Sequence, residues 1–194
     1  DLYTEEAYVF FQKLQFKNLL GRFEVSAPAS SVEDSFREVQ KKSEAEMVFK
    51  VAEEAETVGI VLLKEENVLP LFANQAGIER VAICFGKDHI YAISIGEEIT
   101  FSYVKEKIKH LTGVVNKVSM FHIKEALSWI DFEKEETAFD AIVAAYLLNP
   151  LKSDYEYDDV AREQLDLMLD DKLEGMKKAC YMAYTAFAAA DVLE

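Results

Sequence analysis

The order of apolar patterns along the 194 residues predicts an α/β protein, one sheet flanked by helices. Three observations predict it. Residues 58–63, 80–85 and 90–95 are continuous apolar runs of strand length, as suits strands covered on both faces. Apolar residues at helical spacing precede and follow these runs. The chain is 51% apolar, enough for a substantial core.

From Asp1 to Phe23 the residues Tyr3, Ala7, Phe10, Phe11 and Leu14, then Phe16, Leu19, Leu20 and Phe23, recur at helical spacing, and Gly21 is a stop signal. Residues 1–31 are thus expected to be a helical linker, closing with the small, Pro-containing segment Ser26-Ala27-Pro28-Ala29-Ser30-Ser31. The α/β domain is placed at 32–194. Its first stretch, Glu33 to Lys42, is polar and reads as a continuation of the boundary. Ser43 and Glu46 have capping-box spacing, and Met47, Val48, Val51, Ala52 and Ala55 predict a helix to about Glu56. The three strands follow, the last two joined by Gly86-Lys87-Asp88-His89, which suits a hairpin. Helices are expected at 102–111, 123–129 and 139–148, with a strand at 114–121 among them. Asn149-Pro150 ends the last of these helices. After an acidic loop, Leu165, Met168, Leu169, Leu173, Met176, Cys180, Tyr184 and Phe187 predict one or two more.

The formal charge is 21 − 36 = −15. Nucleic acids are bound chiefly by Lys and Arg displacing counterions, so this chain alone is expected to bind DNA weakly or not at all. No apolar run reaches the roughly 18 residues of a membrane span and no leader opens the chain, so a cytoplasmic protein without membrane contact is expected. The chain starts at Asp1 and breaks off after Asp191, Val192, Leu193 and Glu194 without a helix stop, as a piece of a longer protein would; whether Leu193-Glu194 are native is left open. Cys84 and Cys180 lack metal-type or redox-type spacing and read as reduced core thiols.

The segment from Val118 to Pro150 contains Phe139, Asp140, Tyr146, Leu148, Asn149 and Pro150 in the pattern Phe-Asp-x5-Tyr-x-Leu-Asn-Pro. It resembles the middle of the 3'–5' exonuclease domain of bacterial DNA polymerase I. The lead-in residues Gln15, Phe16, Lys17, Asn18, Leu19 and Leu20, the pair of runs from Val81 to Ile95, and Ala190-Asp191-Val192 resemble the same family, so the likeness spans nearly the whole chain. It implies a ribonuclease-H-like fold with a mixed sheet, a missing upstream 5' nuclease domain and a missing downstream polymerase domain that uses Mg²⁺.

Active members of that family hold two divalent metals with carboxylates from three motifs, because hard cations take oxygen ligands and two-metal chemistry must neutralise both attacking and leaving oxygens. The resemblance places the first motif, Asp-x-Glu, on Leu63-Lys64-Glu65, where only Glu65 is acidic. The second, Asn-x-x-x-Asp, falls on His122 and Ala126, with Lys124 between. The third, Tyr-x-x-x-Asp, falls on Thr185 and Ala189; a one-residue shift gives Tyr184 and Ala188 and still no acid. The resemblance therefore implies a vestigial, non-catalytic domain with no metal or cofactor of its own, its cleft filled by side chains such as Leu63 and Ala126. Its role would be scaffolding, with DNA bound by the parent polymerase in replication and repair. The alternative is a working exonuclease with displaced ligands, Glu65 joined by Asp140 or Asp131.

Other polar groups read as surface. Asp154, Glu156, Asp158 and Asp159 lie in a Tyr-rich loop without calcium-loop spacing, and Asp166, Asp170 and Asp171 fit the polar face of a helix. His122 and Glu125 are three apart and have no accompanying nucleophile. His89 and His110 have no ligand-spaced partner. Trp129, Tyr146, Phe10 and Phe11 sit in apolar stripes and read as core rather than as base-stacking platforms.

Overall fold

Among the described residues six strands form one sheet in the order β1-β4-β3-β2-β5-β6. They are β1 (Phe36–Val39), β2 (Thr57–Lys64), β3 (Ile78–Gly86), β4 (His89–Ser94), β5 (Lys117–Met120) and β6 (Ala138–Asp140). The computed structural model describes residues 32–65, 77–150, 152, 155–170 and 172–193. The lead-in helix expected over Asp1–Phe23, with Phe10 and Phe11, lies outside them. Among the described residues six helices accompany the sheet: α1 (Lys42–Ala52), α2 (Phe101–Val114), the single turn α3 (Ile123–Ala126), α4 (Ala141–Leu148), α5 (Tyr157–Leu165) and α6 (Gly175–Val192).

The sheet is mixed. β2 runs antiparallel to β3 and β3 to β4, whereas β1–β4, β2–β5 and β5–β6 are parallel. Alternation along the strands divides the core between its faces. Val58, Ile60, Val81, Ile83 and Ile93 pack with Phe49 of α1 and Ile108 of α2. Val61, Ala82, Cys84 and Ala92 pack with Ala179, Cys180 and Ala183 of α6. Both thiols are buried and unpaired, and burial pushes each up to about 12, as expected of inert core cysteines.

Gly59 of β2 is where α6 comes nearest the sheet. A Cβ there would lie 2.6 Å from the Phe187 backbone nitrogen and nearer still to the Ala183 carbonyl, so strand and helix touch backbone to backbone. The far end of α6 is tied to the sheet edge: Tyr181 donates to Glu33 at 2.6 Å, Lys177 pairs with it at 3.0 Å, and Phe36 meets the Tyr181 ring edge-on.

Several expectations are corrected. The polar stretch Glu33–Lys42 holds β1, an edge strand with Arg37 and Glu38 exposed between buried Phe36 and Val39. Helix α1 starts at Lys42 on Lys41, whose side chain makes no capping bond, so Ser43 and Glu46 do not form the expected box. Asp158 and Asp159 belong to the first turn of α5, not to a loop; the working capping box there is Glu156 with Asp159. Asp166 and Asp170 lie outside any helix, Asp166 with a positive φ of 51°. Asp154 and Asp171 lie outside the described residues. Tyr146 is 45% exposed rather than core, whereas Trp129 packs partly buried against the α1/α2 side.

Candidate functional site

Strands β2 and β5 pair only from Thr57↔Lys117 to Gly59↔Ser119. Beyond that point β2 continues to Lys64 along β3 alone while β5 ends at Met120, and the divergence opens a cleft of about 140 Å³ at the carboxyl ends of the two strands. From β2 the cleft is lined by Ile60, Val61, Leu62 and Lys64. Met120, Phe121 and His122 line the side of β5, Glu125, Ala126 and Trp129 come from α3 and the turns after it, and Met182 comes from α6.

Asp140, the last residue of β6, positions the second of these groups. Its Oδ2 accepts from the Ile123 N–H at 2.8 Å at the start of α3, and its Oδ1 accepts from Ile142 and Val143 N–H at 3.0 and 3.3 Å at the start of α4. One carboxylate thus caps two helices. His122, immediately before α3, is left-handed at φ 53°, a conformation His tolerates better than most residues and one that turns the chain sharply from β5 into α3.

Of the residues predicted from the sequence, His122 and Ala126 do line the cleft. Leu63 does not: it packs with the α6-side cluster, while its neighbours Leu62 and Lys64 face the cleft. Glu65 follows β2, exposed, and its backbone and carboxylate both engage Gly77, the carboxylate accepting from the Gly77 N–H at 3.4 Å. Thr185 and Ala189 are wholly buried away from the lining; Ala189 sits among Ala141, Ala145, Tyr155 and Val160, and the Thr185 hydroxyl has no hydrogen-bond partner. The residue that α6 supplies is Met182, one apolar position among many on that helix and unmarked by any motif.

The electrostatics of the mouth are set by Lys64, whose ammonium lies 3.9 Å from the Glu125 carboxylate. The proposed displaced ligands are all occupied elsewhere: Glu65 with Gly77, Asp140 as a double cap, and Asp131 in an ion pair with Lys105 at 3.1 Å. Among the described residues no group of three or more His, Cys, Asp or Glu converges as metal ligands would. His122 makes no capping bond, and His89 stacks on Phe85 while His110 pairs with Glu53, both on the surface.

No protein-family model matches the sequence, and no curated protein matches it significantly. Solved structures do match. RNase D of Trypanosoma brucei superimposes with a TM-score of 0.61 at 13% identity, over 81% of this chain and 64% of that one. The Nibbler EXO domain of Aedes aegypti gives 0.58 at 11% identity, over 82% and 86%. The POL domain of Pol1 from M. smegmatis, in complex with DNA primer-template and dNTP, gives 0.59 at 16% identity, over 81% of this chain but 27% of that chain. This chain therefore spans about a quarter of the polymerase it matches. The likeness defines the fold: a mixed sheet flanked by helices, the ribonuclease-H-like 3'–5' exonuclease fold. In architecture the chain is similar to 3'–5' exonuclease domains.

Proposed function

We propose that this chain is the exonuclease-type domain of a bacterial DNA polymerase I in which the nuclease has been lost and the fold serves as a scaffold between the polymerase and 5' nuclease domains. The observation that carries the loss is Lys64. A cationic side chain lies in the cleft where two Mg²⁺ ions would need several carboxylates, and the nearest acid, Glu125, already pairs with it. The residues present do not fit a two-metal site.

Three further points support the reading: the Phe139-Asp140 and Tyr146-x-Leu148-Asn149-Pro150 pattern, the polymerase among the structures of like fold, and the charge of −15, which leaves DNA binding to the parent's polymerase domain and its Mg²⁺. Among the described residues no helix is long and apolar enough to cross a membrane.

The test is a labelled single-stranded oligonucleotide incubated with Mn²⁺ or Mg²⁺. We expect no 3' trimming by the wild type above that of Glu65→Ala. Metal-dependent trimming that disappears with Glu65→Ala or Asp131→Ala would overturn the reading and restore the exonuclease with displaced ligands.

A further inference from the structure

The cleft itself has a chemistry of its own. Ile60, Met120 and Ala126 are buried in its lining, and Trp129 and Met182 form its walls. At about 140 Å³ the cleft, open at its mouth, is close in volume to the roughly 150 Å³ of an enclosed apolar cavity that takes up a benzene molecule. A six-membered aromatic ring is therefore the body that matches it in size.

Its mouth carries one cation among the lining residues, Lys64, held only loosely. The 3.9 Å separation from Glu125 is at the outer limit of an ion pair, and the two side chains are 52% and 71% exposed. Such pairs contribute little, so a second anion can replace Glu125 at small cost. An anionic group fixed to a ring inside the cleft would meet Lys64 at the half-exposed mouth, so the ring's burial supplies most of the affinity and the ion pair its orientation.

We propose that the cleft is a binding site for a small aromatic monoanion of about the size of benzoate, its ring against Trp129 and Met182 and its carboxylate on Lys64. This rests on the reading of the cleft as free of metal. For a ligand of this size a Kd of about 0.1–10 mM is expected.

Trp129 is the only tryptophan of the chain, so its emission reports occupancy directly. The experiment titrates the whole chain with benzoate in the presence of EDTA, with acetate as the charge without the ring and benzylammonium as the ring with the opposite charge. We expect a saturable change with benzoate alone. Lys64→Gln should weaken it about fivefold or more, and Glu125→Gln, which removes the competing carboxylate, should tighten it about two- to fivefold. Absence of a saturable change, equal binding of benzylammonium, or an unchanged Kd in Lys64→Gln would overturn the proposal. Metal-dependent trimming in the oligonucleotide assay would instead overturn the reading beneath it, so the two failures are separable.

Discussion

Asp140 accepts from the backbone of Ile123, Ile142 and Val143, which makes it a structural cap rather than the metal ligand its place in the sequence motif allows. Removing a capping carboxylate costs about 0.5–2 kcal/mol, and here two helix starts depend on one side chain. Asp140→Ala is therefore expected to destabilise the domain by about 2 kcal/mol. Asp140→Asn should cost less, because the amide keeps one acceptor oxygen and can serve one of the two helices. Urea unfolding measures both, and an Asp140→Ala variant within about 0.5 kcal/mol of wild type would remove the capping role. At the same scale, Tyr146 shows where pattern misleads. Helix α4 is apolar all round, so the sequence marks every position as core, yet Val143, Tyr146, Leu147 and Leu148 are exposed and only Ala141 and Ala145 are fully buried.

At the scale of elements, β2, β3 and β4 were legible because each is covered on both faces and reads as an unbroken apolar run. Strand β1 was not, since an edge strand with charged outward residues looks like linker, and β6 is too short to show a pattern. Helix α5 escaped notice because YDDVAREQL has few apolar residues; it is held instead by charge. Lys152 and Arg162 both pair with Asp159, and both reach Glu163 at 3.3 Å. Burial alone would raise the Asp159 carboxyl, but hydrogen bonds from Lys152, the Glu156 backbone and Arg162 outweigh it and bring it down to about 2. A depressed carboxyl stabilises the folded state above its unfolded value, 3.8, and that contribution is lost as pH falls toward 2. Asp159→Asn should therefore cost about 2 kcal/mol at neutral pH and flatten the loss of stability between about pH 4 and 2. Parallel acid-unfolding curves for the two proteins would refute the network's role.

For the molecule as a whole, the cleft gathers His122 and Ala126 but not Leu63, Thr185 or Ala189, the other positions on which the resemblance sets its motifs. His122 and Ala126 were legible because they follow directly from the end of β5. On β2 the cleft takes Ile60, Val61, Leu62 and Lys64 but not Leu63, which packs with the α6-side cluster. This sets apart two attempts at restoring activity. Leu63→Asp, Ala126→Asp and Ala189→Asp together would place carboxylates in three separate apolar clusters, at several kcal/mol for each ion buried without a partner, and should yield an unstable protein that does not trim DNA. Leu62→Asp, Lys64→Glu and Ala126→Asp would gather the charge around one cleft and should bind Mn²⁺ measurably by calorimetry. Tighter Mn²⁺ binding by the first variant would show that the cleft has been misassigned.

The contact between Gly59 and α6 has a bearing on how such a chain can diverge. On the proposed reading, the acids of an exonuclease cleft can be replaced one base change at a time once selection on them ends. Position 59 has no such freedom, because any side chain there would strike the helix backbone. Sequence change is therefore freer along the cleft, where side chains border open space, than at the seam of β2 and α6, where the two backbones already touch.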